Sequence, residues 1–330
     1  MRKVNKELAD LQEKFRVFYN ENLGEKFAGL ETIRVKHLRF FWKWLFIFGF
    51  ISIAFIYFCV IGVIPSSFFD HDISAWIIFL YLAVVFMVLH EPFADYKAET
   101  KNMTMDKILN FFGNFTYHGG RCTPSEDIDK SVLFGYYDKQ TGDDFFTGKY
   151  KDVKIQVSEE RLTRRVKTKN GYRDALVFGG IIIVLEMNKK FLGQTIVRKD
   201  WGIFNFLMMA PSCRIGQQSV KMSRVQLEDS VFEKQFEVFS TDQIEARYLL
   251  TTAFMERILE VKRRFHGKKI RLSFFGSKLM IAMETSQDMF ETTSLFTTTA
   301  RYGRMREVVN QFYAIFSTID VLKLNQHLGL

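Results

Sequence analysis

The sequence predicts an α+β protein: two apolar helices lead into a domain with a mainly antiparallel sheet and two long helices. Three patterns support this prediction. Residues 44–69 and 73–89 carry no charged side chain, and a membrane-spanning helix needs about 20 mostly apolar residues. Residues 177–187 are rich in β-branched side chains, which is typical of a buried strand. The strand patterns and the long helical patterns occupy separate stretches, which favours α+β over a doubly wound fold.

Residues 1–39 are predicted to be a cytosolic amphipathic helix. Apolar side chains recur there with the spacing of a heptad seam: Val4, Leu8, Leu11, Phe15 and Phe18. So short a seam forms only a marginal coiled coil by itself. It fits a helix packed on the protein's own soluble domain, a self-association surface, or a helix lying on lipid.

Residues 40–92 are predicted to form a transmembrane hairpin with spans at about 44–65 and 73–90. Basic side chains flank the outer ends of the two apolar runs: Arg34, Lys36, Arg39, Lys43, Lys97, Lys101 and Lys107. The turn between the runs contains Asp70 and Asp72 and no lysine or arginine. Because cytoplasmic loops are enriched in Lys and Arg, both termini are predicted to lie in the cytoplasm.

Residues 93–330 are predicted to form one cytosolic α+β domain. A short helix at about 98–112 leaves the membrane, and a first strand begins at Phe115. Residues 153–157 suit a second strand with alternating apolar side chains. Residues 177–187 are predicted to be buried on both faces, with residues 193–197 as their hairpin partner.

The second half of this domain is predicted to hold the long helices. Hydroxyl side chains at Ser240 and Thr241 suit the cap of a helix that continues to about Phe265. Residues 270–274 and 279–283 are predicted to form a hairpin. A last helix with one apolar side runs from Met305 to about Gln326.

Four stretches of the chain resemble one bacterial family: FFTGKYKDVKIQVSEERL, VFGGIIIVLEMNKKFLGQTIV, FEVFSTDQIEARYLLTTAFMERILEV and IRLSFFGSKLMIAME. The family is catalogued as domain of unknown function 3137, and the resemblance covers about residues 30–325. It implies a two-span protein of the bacterial cytoplasmic (inner) membrane with a cytoplasmic domain. Members are often encoded beside LemA-type membrane proteins, so the resemblance also implies a LemA-like partner. The family has no established catalytic residues to carry over.

The sequence contains no phosphate-binding loop, dinucleotide fingerprint or nucleophile elbow, and no cofactor is predicted. The carboxylates of Asp144 and Glu159 are the weak candidates for acid–base chemistry. Asp143 and Asp144 also fit a turn, where aspartate is common for conformational reasons. His118 and Cys122 lie four residues apart, but two ligands do not make a zinc site, so no metal is predicted.

Two basic clusters stand out in a chain with a formal net charge of +9. The first fits an exposed connection ending at Asn170-Gly171, and its members are Arg161, Arg164, Arg165, Lys167, Lys169 and Arg173. The second follows the long helix and includes Arg263, Arg264, Lys268 and Lys269. Both clusters are predicted to face anionic lipid, where each nearby charge contributes about 1 kcal/mol. A merely solvated face is the alternative, and nucleic acid fits less well because interleaved aromatic side chains are lacking.

Residues 201–211 (WGIFNFLMMAP) are apolar where a polar loop is normal. They fit either a core element or a contact with a partner or the membrane interface. For the second interpretation, the predicted contact residues are Phe204, Leu207 and Met208.

These patterns together predict a membrane-anchored interaction or scaffold protein whose cytosolic domain docks a partner or forms a homo-oligomer. The alternative is a membrane-bound, hydrolase-like enzyme that uses Asp144 or Glu159. A transporter is disfavoured because neither apolar run holds a charged residue.

Overall fold

The computed structural model describes residues 2–22, 24–64, 68, 72–169, 171–199, 212–215, 220–264, 269–297 and 302–322. The chain divides into two compact units. The helical unit comprises Ala9–Thr104 and Glu291–Arg306, and the sheet unit comprises Met1–Leu8, Met105–Phe290 and Glu307–Leu330. The predicted α+β class is confirmed: two apolar helices near the N-terminus precede a mainly antiparallel sheet with helices.

Three long helices begin the chain: α1 (Arg2–Asn22), α2 (Gly24–Val60) and α3 (Asp72–Asn110). The segments Gly29–Val60 of α2 and Ile73–Asn110 of α3 are long and apolar enough to cross a membrane. Large side chains along both segments, such as Phe46, Phe50 and Phe86, are exposed. Extensive exposed apolar surface of this kind marks a contact with a membrane or with another protein.

The predicted short helix at about 98–112 is not separate, because α3 continues to Asn110. α3 also continues through Pro92. A proline removes one backbone hydrogen bond, but apolar helices tolerate it where neighbouring groups compensate. On α1, Phe15 of the predicted heptad seam is fully buried, so the chain itself covers this part of the seam.

The segment that begins at Glu291 packs on the long helices within the helical unit. The Glu291 carboxylate lies 2.7 Å from Nζ of Lys101, which is almost fully buried. The ring of Phe296 packs edge-on against Phe41 and Phe93, with centroids 5.6 and 5.3 Å away. An ion pair and an aromatic cluster thus join residues that are far apart in sequence.

The described strands form one ten-stranded sheet in the sheet unit. In chain order they are β1 (Phe115–Gly119), β2 (Lys139–Tyr150), β3 (Val153–Thr168), β4 (Gly171–Glu186), β5 (Thr195–Lys199), β6 (Ser212–Ile215), β7 (Val220–Val225), β8 (Phe236–Ser240), β9 (Ile270–Phe275) and β10 (Lys278–Glu284). Their order across the sheet is β1-β2-β3-β4-β10-β9-β5-β8-β7-β6, and the described pairs are all antiparallel. The helices of the later chain are α4 (Ser125–Ser131), α5 (Ser230–Glu233), α6 (Gln243–Leu249), α7 (Thr252–Arg264) and α8 (Tyr302–Leu322).

Strand β4 lies near the middle of the sheet, and the predicted burial of residues 177–187 is confirmed for Ile181 to Leu185. The predicted hairpin between this strand and residues 193–197 is wrong. β4 pairs with β3 and β10, whereas β5 pairs with β8 and β9. After β4 the chain crosses the β9–β10 turn, where the N–H of Met187 donates to the carbonyl of Ser277 at 2.8 Å.

The predicted helix from Ser240 to about Phe265 is two helices. The cap of α6 is the carboxylate of Asp242, which accepts two backbone N–H groups, rather than a hydroxyl. Thr251 then starts α7, because its Oγ1 accepts the N–H of Phe254 at 3.3 Å. The predicted β9–β10 hairpin and the last helix, α8, are confirmed.

Aromatic side chains fill the face of the sheet that α8 covers. The ring of Phe312 packs on Phe146 and Phe290, with centroids 5.0 and 4.8 Å away. The ring of Phe316 stacks on Tyr150 at 4.9 Å. A second buried cluster includes Ile128, Phe134, Phe178, Ile182 and Met280. The inner parts of the central strands are therefore packed on both faces.

Candidate functional site

Strands β3 and β4 extend beyond the rest of the sheet as a two-stranded hairpin. The pairing of β2 with β3 reaches no further than Thr163, and the pairing of β10 with β4 reaches no further than Gly180. Beyond these points residues 164–168 pair only with residues 171–175. We call residues 164–176 the basic arm.

The first basic cluster is exposed, as predicted, but it is not a connection. The predicted contact residues of this cluster are strand residues of β3: Arg161, Arg164, Arg165 and Lys167. The β-branched Val166 and Thr168 favour a strand, and Asn170-Gly171 is a strong hairpin-turn signal. The cluster is therefore a hairpin with a defined register rather than an irregular loop.

The basic arm carries five cations and one acid. The cations are Arg164, Arg165, Lys167, Lys169 and Arg173, and the acid is Asp174. All six side chains are exposed. The register places Arg165 opposite Asp174, so one of the five positive charges has a cross-strand carboxylate. The arm retains a strong positive charge.

One face of the basic arm combines cations with exposed apolar side chains. Lys167 is in register with Tyr172, and the Arg165 guanidinium lies 4.7 Å from the Tyr172 ring centroid. Leu176 shares this face, because alternate residues of a strand point to the same side. Tyr172 is 63% exposed and Leu176 is 61% exposed. Tyrosine, leucine and long cationic side chains are the composition found at bilayer interfaces.

Asp138 holds the base of the basic arm. Its carboxylate accepts hydrogen bonds from Oη of Tyr136 and from the backbone N–H of Arg165, both at 2.7 Å. The bond from Tyr136, then the bond from Arg165 and the charges of the arm arginines, lower the pKa of Asp138. Asp138 therefore stays ionised at neutral pH and fixes the start of the arm.

Two described members of the second basic cluster are paired with carboxylates of the chain itself. Arg263 contacts Glu260 at 2.8 Å, and Lys269 contacts Glu284 at 3.0 Å. Burial by itself raises the pKa of Glu284, but hydrogen bonds and charges from Lys269 and Arg271 outweigh burial and leave this pKa lowered. The positive charges of Arg263 and Lys269 are thus partly neutralised where they stand.

Several predicted contact residues lie outside the described residues. These are the side chain of Arg264 and all of Lys268, Phe204, Leu207 and Met208. Their roles stay predictions.

The two candidate catalytic acids both have hydrogen-bond partners in the fold. Asp144 is fully buried and accepts a 2.7 Å hydrogen bond from Oη of Tyr117. Both carboxylate oxygens of Glu159 accept the backbone N–H of Met289, at 3.2 and 3.0 Å. A buried backbone N–H needs an acceptor. This structural role accounts for the half-buried Glu159 without a catalytic function.

The predicted turn at Asp143-Asp144 is wrong, because both residues lie within β2. They form a β-bulge, where the register with β3 shifts between Gly142 and Phe145. A bulge accommodates extra residues without ending the strand. The chain packs tightly here: a Cβ on Gly142 would lie only 2.3 Å from the carbonyl oxygen of Arg121.

A polar cavity of about 370 Å³ opens beside this bulge. Glu159 lines the cavity, but Asp144 and His118 are not among its lining residues. Neighbouring residues of β1 point to opposite faces, so His118 lies on the other side of the sheet from Tyr117 and its partner Asp144. The ring of His118 instead packs near Phe145, with centroids 6.2 Å apart. The fold therefore does not gather these acids and the histidine into one catalytic site.

Comparisons with known proteins give one family-model match and one structural likeness. The family model described as "Protein of unknown function (DUF3137)" matches residues 176–324, which confirms the resemblance over that segment. The crystal structure of the mycobacterial trehalose monomycolate transport factor A, TtfA, is 10% identical with a TM-score of 0.34. That likeness covers 67% of this chain and 94% of the mycobacterial chain. The comparison with curated proteins finds no match.

Proposed function

We propose that this chain, whose residues 176–324 match the family model of unknown function DUF3137, is a membrane-anchored docking protein. α2 and α3 cross the bacterial cytoplasmic membrane as a hairpin and leave both termini in the cytoplasm. The length and exposed apolar surface of the two helices support the crossing. The Lys and Arg residues outside both apolar runs support the orientation.

The basic arm is the observation that carries the proposal. Its five exposed cations lie on a hairpin that projects from the sheet. The cytoplasmic leaflet is anionic, and each Lys or Arg close to it contributes about 1 kcal/mol of binding free energy. Tyr172 and Leu176 add side chains suited to the headgroup and acyl boundary. The arm thereby orients the sheet unit against the membrane.

An oriented sheet unit can present one surface to a partner, so we propose that this unit docks another protein or a second copy of the chain. A LemA-like membrane protein, which the family resemblance implies, is one candidate. The alternative of a hydrolase-like enzyme has less support, because Asp144 and Glu159 are engaged by Tyr117 and Met289.

A fluorescent probe at the tip of the basic arm tests the proposal. The full chain, with its native cysteines replaced and a polarity-sensitive dye on Thr168→Cys, is reconstituted into vesicles with or without anionic lipid. Because the contact is electrostatic, we expect a blue shift and quenching by spin-labelled lipid only in anionic vesicles. High salt should reverse both signals.

A dye on Glu256→Cys, at an exposed position of α7, is the matched control and should stay in water. The proposal is contradicted by a Thr168→Cys signal that ignores anionic lipid. A signal that responds to double-stranded DNA but not to vesicles contradicts it as well.

A further inference from the structure

A second exposed surface lies beyond the opposite end of β4 from the basic arm. The loop after β4 places Leu192 in solvent, 91% exposed. Helix α6, whose Glu245 binds this loop, exposes Ile244 and Tyr248 by 67% and 71%, and their spacing of four residues puts them on one helix face. We call Leu192, Ile244 and Tyr248 the apolar patch.

The loop that carries Leu192 is firmly held. The buried carboxylate of Glu245 accepts the N–H groups of Leu192 and Gly193, at 3.0 and 2.6 Å. Phe191 is buried, and its N–H donates to the carbonyl of Gly276 at 2.6 Å. The backbone on both sides of Leu192 is therefore fixed. Because the loop is already ordered, covering Leu192 with a partner adds little cost for ordering the backbone.

Three exposed cations are close in sequence to members of the apolar patch: Lys189 and Lys190 precede Leu192, and Arg247 precedes Tyr248. Within the part of the chain that the structure describes, no carboxylate forms an ion pair with any of the three. Clustered exposed apolar side chains mark an interaction site. Unpaired cations at its rim favour a ligand with complementary negative charge.

We propose that the apolar patch and these three cations bind an acidic amphipathic helix of a partner protein. The apolar stripe of that helix covers Leu192, Ile244 and Tyr248, and carboxylates on its flanks face the lysines and the arginine. An exposed helix face with apolar side chains one turn apart can pack against the apolar stripe of a second helix.

The position of the apolar patch favours a protein over a lipid surface. β4 has 16 residues, and at about 3.3 Å per residue it spans roughly 50 Å. The arm tip and the patch flank the two ends of this strand. In the proposed function the basic arm contacts lipid, so the apolar patch at the other end of the strand is available to a protein. This choice of ligand rests on the proposed function.

Photo-crosslinking in native host cells tests the inference with the full chain. The variant Leu192→p-benzoylphenylalanine is expected to form an adduct with another protein, and mass spectrometry should map the adduct to an acidic amphipathic helix. Adding Lys189→Glu and Lys190→Glu should reduce the adduct about tenfold, because attraction at the rim becomes repulsion. The same probe at Glu256, exposed on α7, is the matched control and should give no such adduct.

Four outcomes overturn the inference: adducts with lipid, adducts only with a second copy of the chain, an equal adduct at Glu256, or no adduct at position 192. The variant Leu176→p-benzoylphenylalanine, on the basic arm, separates the two proposals. Lipid adducts at position 176 without a protein adduct at position 192 retain the proposed function and reject the acidic helix. A protein adduct at position 192 without lipid adducts at position 176 rejects the lipid contact of the basic arm and retains a protein ligand at the apolar patch.

Discussion

The inner and outer halves of strands β3 and β4 share one antiparallel ladder but have different surroundings. In the inner half, side chains such as Val157, Ile183 and Leu185 are buried. In the outer half, the basic arm exposes charged side chains and pairs only with itself. A two-stranded ladder with no packed face is marginal in water, so the inner half stabilises the outer one. The outer half can then carry a surface for a ligand.

The two basic clusters show the same contrast. Lys269 has Glu284 as an ion-pair partner because the β9–β10 hairpin brings them together. The register of the arm brings its cations only Asp174. Lys269 and the cations of the basic arm thus differ in how much positive charge they offer to a ligand, and strand pairing decides this difference.

The largest expected effect is on the packed half. Ile183→Ala should lower the free energy of unfolding of the sheet unit by about 3 kcal/mol, since it leaves a cavity between two layers. Leu176→Ala on the basic arm should change it by less than about 0.5 kcal/mol. Denaturant unfolding of the detergent-solubilised full chain, followed by circular dichroism, measures both. Equal losses would remove the distinction between the two halves.

The next effect is on lipid contact. Combining Arg164→Gln, Arg165→Gln and Lys167→Gln should weaken binding of the arm to anionic vesicles about 100-fold, at about 1 kcal/mol for each charge. Combining Arg263→Gln and Lys269→Gln should weaken it less than about threefold, because those charges are already paired. The dye on Thr168→Cys, titrated with anionic lipid, reports both. The reverse order of effects would assign lipid contact to the second cluster.

A smaller effect concerns the ion pairs of the second cluster. Glu284→Gln should destabilise the sheet unit by about 1 kcal/mol. A buried hydrogen bond to a charged group contributes more, but this site is partly exposed to solvent. The folded pKa of Glu284 is lowered from 4.5, so this stabilisation is present above pH 4.5 and is lost as pH falls through the lowered pKa. Melting curves at pH 7 and pH 3 should show a gap between wild type and variant at pH 7 only. A gap that persists at pH 3 contradicts the ion-pair explanation.

The smallest effect is at the base of the basic arm. Asp138→Asn should speed exchange of the Arg165 amide hydrogen while protection of the inner half of β3 stays unchanged. The folded pKa of Asp138 is lowered from 3.8, so the wild-type bond should persist above pH 3.8 and weaken as pH falls through the lowered pKa. Hydrogen exchange read by mass spectrometry, corrected for intrinsic rates, tests this. Unaltered exchange at Arg165 would show that other contacts hold the base.

Local patterns predicted the elements whose partners are near in sequence. The β-branched run of β4, the β9–β10 hairpin and the apolar side of α8 all follow from periodicity. Sheet order does not, because Ile183 pairs with Ile281, 98 residues later. Periodicity shows that a strand is buried, but it does not show which strand covers its edge.

The candidate surfaces were predictable only in part. The cations of the first cluster are visible in the sequence. Asn170-Gly171 is a hairpin signal, but the run of charges around it favours a loop. Tyr172 and Leu176 join the surface because β2 and β10 stop short of them, which no local pattern shows. Nothing in the sequence distinguishes Leu192 from other leucines. Its exposed position depends on the hydrogen bond from its backbone N–H to Glu245, about 50 residues away.

The ion pair between Lys101 and Glu291 has a consequence for biosynthesis. The ribosome makes Lys101 with the long helices, but Glu291 follows 190 residues later. At about 5–20 residues per second this interval lasts about 10–40 s. In the proposed topology the two helices enter the membrane during this interval, before the carboxylate that neutralises Lys101 exists. Lys101 therefore stays hydrated at first, and its burial in the helical unit has to follow the synthesis of Glu291.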